Sequence, residues 1–296
     1  MNVNSTIASA APREGMNDLY QKINRYVYEI RMMELDEYLH GMNRKKIDKE
    51  KAYDIIINAH DSDSNPLMLY WKARLADPHS LPYYISTRVE KNERRANDLY
   101  RRAVDLNIER MAEDGDKYAI ACLGWMYQFG SGVDKNCSIA IKWYRKAAEQ
   151  GHADAQFNIG CMYQYGDGVD RNYSTAVEWY RRAAEQGHAD AQFNIGCMYQ
   201  FGEGVDKNYS TAVQWYRKAA AQGHADAQLN VGAMYYDGFG VNQNNSTAVQ
   251  WYRKAAEQGH ADAQYRVGLM YERGHGVDKN ISTALEWYHK SGATSS

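Results

Sequence analysis

Residues 151–186, GHADAQFNIGCMYQYGDGVDRNYSTAVEWYRRAAEQ, contain the pattern from which the fold can be inferred. Residues 187–222 repeat them with changes at six of 36 positions, and no insertion separates the two copies. Weaker copies of the same length begin at positions 115, 223 and 259. Tryptophan keeps the same register, since it occurs at 143, 179, 215, 251 and 287. A period of this length over five units indicates a repeat architecture, in which each unit packs on its neighbours.

Each unit has the pattern of two helices joined by a turn that contains glycine. In the quoted unit, Ala155, Ile159 and Tyr163 share one face of the first helix. Gly166 is expected to end that helix, because glycine adopts the left-handed conformation of a helix C-terminus. Asn172 is expected to cap the second helix by accepting backbone N–H bonds. Because such a hairpin cannot bury its own apolar face, the units are predicted to stack into an all-α solenoid.

The rest of the chain is predicted to flank this solenoid. Residues 63–114 have the pattern of a degenerate unit with longer loops, in which Leu99 replaces the tryptophan. Residues 16–62 carry helical stripes and are predicted to form a helical N-terminal cap, and residues 1–15 are predicted to be disordered. Residues 115–296 hold the five clear units and end in the more polar SGATSS, which predicts a C-terminal cap.

Composition and charge argue against several classes of protein. The chain has 35 Lys and Arg against 37 Asp and Glu, so it lacks the basic excess of a dedicated nucleic-acid binder. No apolar run reaches the length of a membrane span, and the first residues lack the pattern of a signal peptide. Four cysteines are too few for a disulfide scaffold. We therefore expect a cytoplasmic protein with no nucleic-acid partner and no membrane insertion.

The recurring pattern A-x-A-Q-x-x-(I/L/V)-G-x-M-Y-x-x-G-x-G-V-x-x-N-x-x-x-A-x-x-W-Y-x-x-A-A-x-x-G resembles the Sel1-like repeat, a relative of the tetratricopeptide repeat. The resemblance covers residues 115–294 strongly and residues 66–107 weakly. It implies a right-handed α/α solenoid of Sel1-like helical hairpins. Because members of the family are generally adaptors, it also implies a non-enzymatic protein–protein interaction scaffold that binds a peptide or partner protein in a concave groove.

The resemblance further implies which residues face that groove, because the first helices of related solenoids line it. The positions are the second, fifth, sixth, ninth, twelfth and thirteenth of each first helix. Asn158, Asn194 and Asn230 form a candidate ladder, since an amide can bond a peptide backbone without reading its sequence. The alternative is that identical asparagines reflect only a recent duplication. The residues expected to bind a partner are Trp125, Phe129, Asp154, Phe157, Asn158, Cys161, Tyr165, Asp190, Phe193, Asn194, Phe201, Leu229, Asn230, Tyr236, Tyr265 and Arg266.

Histidines also recur once per unit, at 152, 188, 224 and 260, but their spacing argues against a metal site. Neighbouring units should lie about 10 Å apart, too far for a shared zinc ion with ligand bonds of about 2 Å. We therefore expect these histidines to be packing or exposed residues. No phosphate loop, nucleophile elbow or pair of catalytic carboxylates is recognised, so the sequence predicts no cofactor, no metal and no enzymatic activity.

Other functions remain open at this point. A dedicated regulator, such as an effector or an immunity protein, would use the same fold to inhibit or activate one partner enzyme. An enzyme would need a polar constellation that breaks the repeat, and the divergent region 62–116 is where one would fit. A helical-repeat RNA binder is disfavoured by the near-neutral charge.

Overall fold

The computed structural model of the chain describes residues 65–76 and 93–292, so the predicted segments 1–15 and 16–62 lie outside the described residues. The described residues are helical and contain no strand. No helix among them is both long enough and apolar enough to cross a bilayer. The helices are α1 (Pro66–Ala76), α2 (Glu93–Asp105), α3 (Ile108–Glu113), α4 (Lys117–Phe129), α5 (Cys137–Glu149), α6 (Ala153–Tyr165), α7 (Tyr173–Glu185), α8 (Ala189–Phe201), α9 (Tyr209–Ala221), α10 (Ala225–Asp237), α11 (Asn245–Glu257), α12 (Ala261–Arg273) and α13 (Ile281–Lys290).

Consecutive hairpins stack along the chain, as the repeat predicts. The helix pairs α4–α5, α6–α7, α8–α9, α10–α11 and α12–α13 are the first and second helices of the five units. Each second helix also packs on the first helix of the next unit, which closes the core between units. Helices α1 and α2 pair in the same way, and the short α3 joins them to α4. The all-α solenoid of hairpins is thereby confirmed.

Within each hairpin, a tyrosine ring of the second helix lies against a glycine of the first helix. Tyr216 on α9 is fully buried, and a Cβ atom added to Gly196 on α8 would lie 2.5 Å from its ring. Any side chain at the glycine would therefore have to displace the ring. The same arrangement recurs for the pairs Gly124–Tyr144, Gly160–Tyr180, Gly232–Tyr252 and Gly268–Tyr288.

The helix ends follow the predicted signals. Asn172 caps α7, where its Oδ1 accepts a hydrogen bond from the Thr175 backbone N–H at 3.0 Å. Gly166 ends α6 with a φ of 81°, a conformation that favours glycine. Gly168 in the same turn lies on the preceding unit, because an added Cβ would come within 2.6 Å of the Cys137 backbone. The turn glycines thus fix both the end of a helix and the approach of two units.

Among the described residues, no further unit packs on one apolar face of α13, the second helix of the last unit. Val249 on α11 is 2% exposed because the next unit packs on it, whereas Leu285 at the same position of α13 is 51% exposed. Ile281, one turn earlier, is exposed to a similar extent. Because α11 and α13 share their sequence pattern, the difference in exposure between Val249 and Leu285 shows how much surface a following unit buries.

Replacing Gly196 by alanine should destabilise the protein by about 1–3 kcal/mol, because the new methyl group overlaps the Tyr216 ring. This value is the net loss of stability, after allowance for the gain of about 1 kcal/mol that alanine brings to a helix interior. Urea denaturation followed by circular dichroism measures the change. The control is the same substitution in a Tyr216→Leu background, where the cost should be smaller because the ring is gone. An equal cost in both backgrounds would show that the ring is not the constraint.

The Val249→Ala variant should lose about 1–3 kcal/mol of stability, because its side chain is buried between two units. The Leu285→Ala variant should stay within about 0.5 kcal/mol of the parent protein, because half of that side chain is already in water. Denaturation of both variants under one set of conditions makes the comparison. A larger loss for Leu285→Ala would mean that another part of the chain covers α13.

Candidate functional site

The predicted partner-binding residues all lie on the first helices α4, α6, α8, α10 and α12. We call the surface formed by their groove positions the first-helix face. It is continuous across units, because residues of one first helix meet residues at the start of the next. Asp154 and Phe157 on α6, for example, both contact His188, which precedes α8.

A histidine joins each pair of neighbouring units on this face. His188 Nε2 lies 3.2 Å from Asp154 Oδ1, and its ring stacks on Phe157 with ring centroids 4.7 Å apart. His188 Nδ1 accepts a hydrogen bond from the Ala191 backbone N–H, so the histidine also caps α8. A neutral ring in this arrangement carries its proton on Nε2, facing the carboxylate. These histidines therefore hold the units together, and Phe157 belongs to that junction as much as to the exposed face.

The junction recurs along the solenoid with small changes. His224 lies 3.3 Å from Asp190 and stacks on Phe193, again with ring centroids 4.7 Å apart. His260 lies 3.0 Å from Asp226, where Leu229 replaces the phenylalanine. The carboxylates of Asp190 and Asp226 are more than half exposed, so they also remain accessible to a partner.

The hydroxyl of each buried tyrosine reaches the first-helix face from inside. Tyr180 donates a hydrogen bond to Gln164 Oε1 at 2.6 Å and lies 3.3 Å from Cys161 Sγ. Burial raises the pKa of this hydroxyl, and the side chain of Asn194, on the next first helix, opposes that rise. Tyr216 has matching partners in Gln200 and Cys197, and the Asn230 side chain affects its pKa in the same way. Asn194 and Asn230 are thus placed near the tyrosine hydroxyls of the preceding units.

The thiols of the face are protected by their surroundings. Burial raises the pKa of the Cys161 thiol to about 11, which opposes ionisation at neutral pH. Burial also raises the pKa of the Cys197 thiol on the next unit. Since the thiolate is the reactive form of cysteine, these residues suit packing better than chemistry.

Exposed aromatic side chains form a column at the C-terminal ends of the first helices. Phe129 is 57% exposed, Tyr165 is 68% exposed and Phe201 is 63% exposed, one in each of three successive units. Trp125 lies beside Phe129, with ring centroids 5.0 Å apart. The three rings thus occupy the same position on successive units, and each leaves a large side chain exposed on the first-helix face.

The face changes along the solenoid. Tyr236, in the fourth clear unit, hydrogen-bonds His275 at 3.2 Å. In the fifth unit, Tyr265 packs on Tyr288 with ring centroids 5.3 Å apart, as in earlier units, but Arg266 replaces the ladder asparagine and is exposed. The exposed aromatic column therefore spans the first three clear units, whereas the amide ladder spans the second to the fourth.

Sequence reasoning missed two residues that lie beside this face. Trp71 and Arg74 on α1 line a cavity together with Trp125, Asp154 and Asn158. The spacing between the two helical patterns of the degenerate unit differs from that of the clear units, so residues of α1 could not be assigned to groove positions. The only sequence signal was a tryptophan and an arginine on one side of a short helix.

Comparisons with known proteins agree with this architecture. The profile of the Sel1 repeat matches residues 74–108, 118–152, 153–188, 189–224, 225–260 and 261–293. A Sel1 repeat protein from Oxalobacter formigenes has 39% sequence identity and a TM-score of 0.63 over 69% of this chain and 83% of that chain. A search of curated proteins found no match.

Two further solved structures are similar. The protein c5321, a protective antigen present in uropathogenic Escherichia coli strains displaying an SLR fold, is 34% identical with a TM-score of 0.62. The match covers 93% of this chain and 56% of that chain, so this chain spans just over half the length of that relative. Immunity protein Pa5087 from Pseudomonas aeruginosa is 20% identical with a TM-score of 0.48 over 76% of this chain and 80% of that chain, a likeness too weak to bear on function.

Alkylation of Cys161 by iodoacetamide at pH 8 should be roughly 100-fold slower in the folded protein than in the unfolded chain. The reason is the pKa of about 11, which leaves little thiolate at that pH and makes the rate rise as the pH approaches that value. Mass spectrometry distinguishes the Cys161 peptide from the Cys197 peptide, since their flanking residues differ. Labelling of folded protein at the unfolded rate would contradict the burial of this thiol.

Proposed function

Because the chain belongs to the Sel1 repeat family, we propose that it is a non-enzymatic scaffold that binds a partner protein on its first-helix face. The observation that carries the proposal is the exposed column of Phe129, Tyr165 and Phe201. Aromatic side chains are the residues on which protein interfaces most often depend. Three successive units each carry one such side chain, so the partner is an extended segment or a helix that crosses several units.

The surroundings of the column support binding in physical terms. Trp125 adds a further aromatic ring beside Phe129, and the exposed carboxylates of Asp190 and Asp226 lie at the opposite, N-terminal ends of the first helices. An apolar centre with a polar rim is the usual anatomy of a protein–protein interface. The histidine junctions hold the helices in place before binding, so little conformational entropy is lost when a partner docks.

The proposal includes an adaptor role, in which the scaffold holds a partner without changing its chemistry. A dedicated regulator would use the same face. It would differ from an adaptor in its effect on the activity of the bound partner. A captured enzyme whose rate changes on binding would mark a regulator, whereas a captured protein with unchanged activity would fit an adaptor.

The experiment is capture of partners from a lysate of the source organism, followed by measurement of Kd with the purified partner. A Tyr165→Ser, Phe201→Ser double variant should bind at least about 10-fold more weakly, because truncation of a central aromatic anchor typically costs more than 1 kcal/mol. Both side chains are more than 60% exposed, so the variant should keep its stability.

The matched control is the Ile281→Ser, Leu285→Ser double variant, which removes two exposed apolar side chains from α13. It should bind the partner as the parent protein does, because these residues lie on a second helix. Equal binding by the parent protein and the aromatic variant would show that the partner does not bind at these side chains of the first-helix face. A loss of affinity in both variants would indicate nonspecific hydrophobic binding and not a defined site.

A further inference from the structure

A small cavity lies at the end of the first-helix face, where three units meet. It has a volume of about 50 Å³. Trp71 and Arg74 line it from α1, and Trp125 lines it from α4. Asp154 and Asn158 line it from α6, and the lining is completed by Tyr70, Tyr118, Ala121, Cys122 and His152. The cavity therefore shares three side chains with the predicted partner site.

The positively charged group of this cavity is the guanidinium of Arg74. It lies over the ring of Trp125, 4.4 Å from the ring centroid, and 5.6 Å from the centroid of Trp71. Arg74 Nη1 donates a hydrogen bond to the Tyr70 hydroxyl at 3.0 Å. The aromatic rings hold the cation in one orientation, and a guanidinium has donors but no acceptor. The group is thus held in one place, and a guanidinium is the cation whose planar shape best matches a carboxylate.

The second donor of the cavity is the indole of Trp71. Its Nε1 atom is buried and has no hydrogen-bond partner among the described residues. An indole N–H can only donate, and a buried donor without an acceptor is unfavourable. Arg74, Tyr118, His152 and Asp154 differ from it, because each of them has further interactions. The indole N–H of Trp71 is therefore a donor that no acceptor among the described residues reaches.

We propose that this cavity binds a carboxylate group of the partner, with the Trp71 indole and the Arg74 guanidinium as donors. A volume of about 50 Å³ holds a carboxylate but not a whole residue, so the rest of the ligand would lie on the first-helix face. The inference rests on the proposed partner-binding function, which it deepens. The carboxylate would come from a chain terminus or from an acidic side chain.

The one acidic group in the lining limits where the carboxylate can sit. Asp154 would repel an anion, but its Oδ1 lies 3.2 Å from His188 Nε2, which draws it towards the next unit. The bound carboxylate is therefore expected on the α1 side of the cavity, beside Arg74 and away from Asp154.

The test uses the indole N–H signals of the ¹⁵N-labelled full chain, with those of Trp71 and Trp125 assigned from Trp71→Phe and Trp125→Phe variants. The probes are N-acetyl-phenylalanine, with a terminal carboxylate, N-acetyl-glutamic acid α-amide, with a side-chain carboxylate, and N-acetyl-phenylalaninamide, with neither. The Trp71 signal should shift in a saturable way, at roughly millimolar concentration, with at least one carboxylate and not with the amide. The carboxylate that binds more tightly identifies the source.

The Arg74→Lys variant should bind the carboxylate at least about 10-fold more weakly, because lysine keeps the charge but loses the planar fork. If that variant does not fold, Trp71→Phe replaces it, with the Trp125 signal as the reporter and the same loss expected. No saturable shift with either carboxylate, or an equal shift with the amide, would overturn the proposal. Because the probes need no partner, this result is independent of whether the partner is captured on the first-helix face.

Discussion

A tyrosine ring packed against a glycine sets the geometry of each clear unit in the solenoid, and in the first four units that ring is buried. With no side chain at Gly160, the Tyr180 ring can lie flat against α6, and this sets the distance between the two helices of the hairpin. That distance also decides how far the tyrosine hydroxyl reaches. The hydroxyl ends beside Gln164 and Cys161, so the same ring that closes the core orients side chains of the first-helix face. A change in this one contact would therefore alter both stability and the surface offered to a partner.

Each unit adds its part of the face by the same physical means. The His188 junction ties α6 to α8 through a carboxylate, a stacked ring and a helix cap, and the next units repeat it. Because stability in such an array is roughly a sum of local terms, a duplicated unit lengthens the face without disturbing its neighbours. The near-identical units 151–186 and 187–222 accordingly present near-identical surfaces, with Tyr165 and Phe201 at matching places. A surface built in this way suits partners that run along several units.

Much of the fold could be predicted from the sequence because it depends on local signals. The 36-residue period, the Asn172 cap and the Gly166 helix end each work within one unit or one turn, and the structure confirms them. The site was harder, because groove positions depend on contacts between units. Phe157 occupies a predicted groove position, yet its ring packs on His188 from the next unit, which no pattern within one unit reveals. The residues at the N-terminal edge of the face could not be predicted for a different reason, since the degenerate unit does not keep the 36-residue spacing that assigns residues elsewhere. Only the packing of α1 beside α4 and α6 brings the donors of Trp71 and Arg74 next to the ladder.

Footprinting of the complex is the measurement that bears most closely on partner docking at the first helices. Hydroxyl-radical labelling, read out by mass spectrometry with and without bound partner, reports the exposure of each aromatic side chain. Docking on the first-helix face predicts that Phe129, Tyr165 and Phe201 become protected, while the second-helix tryptophans Trp143, Trp179 and Trp215 keep their reactivity. Protection of those tryptophans with no change at the three exposed rings would contradict it.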